Sequence, residues 1–204
     1  LPISISNPRD MQNLFQDCHS LETLNVKNLL TDKALYSGHI FENCYALKSL
    51  DLSSFTFIHT KNLDATFRNC RSLTSVNLEN FDTAELITMS NMFENCEKLT
   101  SLDLGHFITD YVTDMSYVFN GCSSLANLTL DFRTENVKYM QNMFSNCVSL
   151  TSLNIGTFFT GNVLNFTEMF ENDKDLVLYM DTKSCANLYY SLPSYITVEK
   201  IGRS

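Results

Sequence analysis

Apolar residues recur along this chain in a fixed order, and the order repeats about every 26 residues. Phe15, Phe41, Phe67, Phe93, Phe119, Phe144 and Phe170 each stand three positions before a marker. Cys18, Cys44, Cys70, Cys96, Cys122 and Cys147 fill that marker, and Asp173 takes it in the last copy. Leu21, Leu47, Leu73, Leu99, Leu125, Leu150 and Leu176 each stand three positions after it. The step between markers is 26 residues throughout, except for 25 between Cys122 and Cys147. A period in this range, held through consecutive copies, marks a solenoid in which each unit buries its apolar face against its neighbours.

Within one copy the spacing predicts two elements. Leu86, Met89, Met92 and Phe93 are separated by three, three and one, which predicts a short helix, α or tighter. Asn95 follows, and the same slot holds Asp17, Asn43, Asn69, Gly121, Asn146 and Asn172. These residue types tolerate left-handed backbone, so the slot is expected to end each helix. Leu99, Leu102 and Leu104 then alternate with polar residues, the pattern of a short strand with one buried face. A second aromatic column follows at Phe55, Phe81, Phe107, Phe132 and Phe158. The fold expected is an α/β solenoid of seven repeats, each a short helix plus a short strand in one parallel stacked sheet.

The repeat sets the domain plan. Residues 1–10, with Pro2 and Pro8, read as an N-terminal cap, residues 11–180 as the solenoid and residues 181–204 as a C-terminal cap. In that tail Leu176, Leu178 and Met180 predict a last strand. Residues 181–192 predict a helix stopped by Pro193, and Tyr195, Ile196 and Val198 a closing strand.

Seven of the eight methionines fall in two columns beside the phenylalanines, where flexible thioethers fill core space. Six of the seven cysteines share one column. Side chains in such a column project in parallel, which opposes bridging, so free buried thiols are expected. Cys185 stands outside the repeat and is expected to be the accessible thiol.

Charge and motifs narrow the function. The 14 basic and 23 acidic side chains give a net charge of −9, which argues against a nucleic-acid partner. No apolar run approaches the ~20 residues of a membrane helix, so no membrane insertion is expected. The start, with neither a basic leader region nor an initiator methionine, reads as a mature or excised fragment. His19, His39, His59 and His106 occupy different repeat positions, and no Cys-x-x-Cys occurs. No catalytic set, metal site or cofactor is therefore expected.

Residues 99–122, LTSLDLGHFITDYVTDMSYVFNGC, and residues 72–96, which contain Phe81-Asp82-Thr83 and Met89-Ser90-Asn91-Met92-Phe93, resemble a known repeat. It is the bacterial surface protein 26-residue repeat, the BspA-like branch of the leucine-rich repeats. The resemblance covers residues 11–176. The second and third copies depart from it at Ala34, Ser37 and Ile40 and at Phe57, Thr60 and Leu63. It implies a leucine-rich-repeat-like α/β solenoid on a cell surface or secreted. It also implies adhesion, with a protein or glycan of a host or neighbouring cell as partner. An intracellular leucine-rich-repeat scaffold for protein–protein interaction is the alternative.

Candidate binding residues follow from strand alternation, which turns every second side chain outward. One outward column holds Thr23, Ser49, Ser75, Ser101, Asn127 and Ser152; the other holds Asn25, Asp51, Asn77, Asp103, Thr129 and Asn154. Ser49, Asp51, Ser75, Asn77, Ser101, Asp103, Ser152 and Asn154 are the candidate site. The columns read either as a hydrogen-bonded ladder that stabilises the solenoid or as a polar face offered to a partner.

Overall fold

The computed structural model describes residues 8–202, so most of the expected N-terminal cap, residues 1–7, lies outside the described residues. The chain forms a parallel β-solenoid. Its strands are β1 (Ser49–Asp51), β2 (Ser75–Asn77), β3 (Ser101–Leu104), β4 (Asn127–Leu130), β5 (Ser152–Asn154), β6 (Val177–Met180) and β7 (Thr197–Lys200). Adjacent coils pair in register, as Ser49 with Ser75 and Asp51 with Asn77, or Leu102 with Leu128. The ladder is divided into three stacked sheets, β1-β2, β3-β4 and β5-β6-β7, rather than the one continuous sheet expected. On a second side, single bridges link Asp10, Tyr36, Asn62, Thr88, Asp114, Tyr139 and Asn165 in one unbroken column.

The expected repeat helices do not form. Each stretch before the marker is a pair of tight turns with two left-handed residues four positions apart. In one coil these are Asn91 and Asn95, both at φ 57°. The slot before the marker is left-handed in every copy, as its composition predicted. Four residues earlier the left-handed residue is Asn13, His39, Ala65, Asn91, Tyr117, Asn142 or Glu168, a set in which asparagine recurs but does not fill the column. These flips turn alternate amides out of the coil. Asn91, Phe93 and Asn95 donate to the carbonyls of Ser116, Val118 and Asn120 in the next coil at 2.9, 2.8 and 2.7 Å. A helix would spend those amides on its own carbonyls. Seven helix-plus-strand units are thus not what the sequence builds. Among the described residues the α-helix is α1 (Ala186–Ser191), shorter than the segment 181–192 expected, and residues 23–25 form no strand.

The core is a set of columns. Phe15, Phe41, Phe67, Phe93, Phe119, Phe144 and Phe170 stack ring on ring, with centroids 5.2–6.0 Å apart. Offset aromatic stacks at this spacing add to the burial of their area. Met11, Met89, Met92, Met115, Met140, Met143 and Met169 are buried beside them, as expected.

None of the seven cysteines is in a disulfide. The column thiols are hydrogen-bonded: Cys44, Cys70, Cys96, Cys122 and Cys147 each donate to a phenylalanine carbonyl one coil earlier, at 3.1–3.2 Å. Burial pushes the Cys44 and Cys122 thiols up to about 12. The expectation for Cys185 is overturned. It is fully buried and donates to the Phe158 carbonyl at 3.2 Å, because the segment leading into α1 folds over the core. Cys18 is the exposed cysteine.

Candidate functional site

The polar strand columns face outward and lie open. In β1, β2, β3 and β5 the first and third residues are exposed and flank a residue packed toward the core. Register places Ser49 beside Ser75, Asp51 beside Asn77, Ser101 beside Asn127, and Asp103 beside Thr129, at the strand spacing of ~4.8 Å. Ser152 and Asn154 lie further along and abut Val177 and Tyr179, where the polar columns give way to an apolar and an aromatic residue.

The two columns differ in what their side chains do. Asp51, Asn77, Asp103 and Asn154 each accept the backbone amide two residues on, from Ser53, Glu79, Gly105 and Gly156, at 2.8–3.0 Å. Asn25 does the same with Lys27. Such Asx turns bend the chain out of the strand. The hydroxyl and amide of Ser53 hold the Asp51 carboxyl below its ordinary value. Ser49, Ser75, Ser101 and Ser152 make no comparable side-chain bond among the described residues. One column is therefore spent on the turns, and the other leaves its hydroxyls to solvent.

Two further polar groupings escaped the sequence reading. The Glu42 carboxylate is buried and accepts from Gln16 Nε2 at 2.8 Å; it also contacts His39 Nδ1 at 2.7 Å and pairs with Arg68. It ties three coils together. On another outer column His19 stacks on Tyr45, and Arg71 sits over the Tyr45 ring and reaches Glu97 at 3.6 Å. The signal was present, since Gln16, Glu42 and Arg68, like His19, Tyr45, Arg71 and Glu97, are 26 residues apart. Aligning opposite charges by column reveals both sets. Among the described residues, no group of three or more His, Cys, Asp or Glu residues is arranged to hold a metal. No helix there is long and apolar enough to cross a membrane.

The repeat that builds this surface is matched by one family over residues 3–102 and again over residues 88–189. The chain belongs to the family described as Mycoplasma protein of unknown function, DUF285. The two DUF285 matches overlap by part of one coil and together span nearly the whole chain, as a repeated unit requires. No curated protein matches the sequence.

Proposed function

We propose that this DUF285 chain is a non-enzymatic, surface-displayed or secreted repeat protein of the BspA-like leucine-rich branch. It binds a protein or glycan of a host or neighbouring cell through the exposed strand face. The observation that carries this reading is the open serine column. Ser49, Ser75, Ser101 and Ser152 are exposed on strands, and their hydroxyls are free to meet a partner. Elongated repeat proteins commonly use such faces for recognition.

The test is attachment of the purified chain to host or neighbouring cells, with Ser49, Ser75 and Ser101 replaced together by arginine. The replaced positions lie outside the core, so the fold is retained and attachment falls. Undiminished attachment by a folded triple variant refutes the strand face as the site. A second reading, an intracellular scaffold, is favoured by the seven unbridged thiols. Protease shaving of intact source cells separates the two: release of repeat peptides from unbroken cells supports surface display, and full protection until lysis supports the scaffold.

A further inference from the structure

The last coil departs from the cysteine column at one residue. Asp173 fills the slot, is 1% exposed, and neither of its carboxyl oxygens has a hydrogen-bond partner. In the coils before it the register sets each thiol against a phenylalanine carbonyl one coil earlier, as Cys147 against Phe119. The same register sets position 173 against the carbonyl of Phe144. A carboxylate is an acceptor only and cannot serve a carbonyl, whereas a neutral carboxyl donates as a thiol does. Burial disfavours the charged form and, outweighing the opposing pull of the Cys147 backbone amide, pushes the Asp173 carboxyl up to about 7.

Asp173 also lies where the C-terminal cap is fastened. The Tyr195 hydroxyl accepts from the Asn172 amide at 3.3 Å and donates to the Phe170 carbonyl at 3.2 Å. Those are the two groups that a following coil would otherwise engage. Four residues after Asp173, β6 begins, and β6 carries β7. Between coil and cap runs a cleft lined by Phe166, Met169 and Phe170 on one side and Leu188, Leu192 and Tyr195 on the other. The cap therefore rests on the last coil across an incompletely filled seam.

We propose that Asp173 is a proton-operated latch for the C-terminal cap: neutral, it packs the last coil and holds the cap closed, and ionised, it loosens that coil and lets the cap lift from the cleft. The ionisable group coupled to it from the preceding coil is Cys147; Glu171 and Lys174 stand within two residues of it on its own coil, and from the cap Tyr195 bonds its neighbour Asn172. Burial keeps the Cys147 thiol neutral, and charge on Asp173 pushes it further up. Glu171 and Lys174 are exposed and of opposite sign. The folded value lies above the ordinary 3.8. The latch is thus fully engaged below the ordinary value and is lost as pH rises toward about 7.

Amide hydrogen exchange of the full chain, corrected for intrinsic chemistry and read at about pH 6 and about pH 8, tests this. Linkage predicts that protection over residues 166–202 falls roughly tenfold between them, while residues 83–150 hold steady. Asp173→Asn and Asp173→Cys, the latter restoring the column's thiol, remove the difference. Equal protection of the cap at both pH values in the unaltered chain overturns the proposal. So does an undiminished difference in either folded variant.

Discussion

The Sγ of Cys96 donates to the carbonyl oxygen of Phe67 in the preceding coil, 3.2 Å away. That carbonyl already receives the Cys70 amide within its own turn, so the thiol supplies its second partner. The bond explains why one column holds cysteine: the slot needs a small, largely apolar side chain with one weak donor. Cys96→Ala removes the donor and leaves a small void. It is expected to cost about 1–3 kcal/mol in chemical denaturation, with unchanged dependence on denaturant concentration.

Thiol reactivity should divide sharply. Cys18 is exposed, while the other six are buried. An aromatic disulfide reagent is expected to titrate one thiol in the native chain and the remaining six only after unfolding. Rapid reaction of Cys185 in the native state would contradict its place beneath α1.

An asparagine ladder runs beside the cysteines. Asn69 Nδ2 donates to Asn43 Oδ1 at 2.8 Å, and Asn95 Nδ2 donates to Asn69 Oδ1 at 2.9 Å. Asn69 is also left-handed, at φ 61°. Asn69→Ala loses both bonds and places a Cβ-bearing residue without local compensation in that region, for an expected loss of about 2–3 kcal/mol. Asn69→Gly keeps the backbone free and should lose less. Thermal unfolding of the two variants side by side checks the order.

Glu168 holds a left-handed conformation, φ 58°, at an exposed position where Asn13, Asn91 and Asn142 hold the equivalent slot in other coils. Glu168→Asn is expected to stabilise the chain by about 0.5–1 kcal/mol, since asparagine visits this region at lower cost. A fall in melting temperature would show that the side chain, which accepts from Asn142 at 3.1 Å, matters more than the backbone.

The Asx turns give an acid-side signature. Asp51 and Asp181 have carboxyls held below their ordinary value, the first by Ser53 and the second chiefly by the Ser184 hydroxyl. A depressed carboxyl contributes stability that is present above its unfolded value and lost as pH falls through the folded one. Stability should therefore drop on strong acidification, and Asp51→Asn, which keeps the turn acceptor, should blunt that drop.

The sequence by itself determined the period, the phenylalanine, methionine and cysteine columns of the core, and where the strands that form lie within each coil. All of these follow from which residues must avoid water at a fixed repeat. It also determined the left-handed slot before the marker, because Asn, Asp and Gly carry that preference locally. Only the tertiary structure decided that Leu86, Met89, Met92 and Phe93 line tight turns rather than a helix. Apolar spacing of three and four suits both, and the choice depends on where the amides of Asn91, Phe93 and Asn95 find acceptors. Those acceptors belong to the next coil, a full repeat away. The same holds for Glu42, whose partners Gln16 and Arg68 come from the coils on either side. A solenoid makes local pattern legible and leaves hydrogen-bond destination to stacking, since each coil completes its backbone bonding on its neighbour.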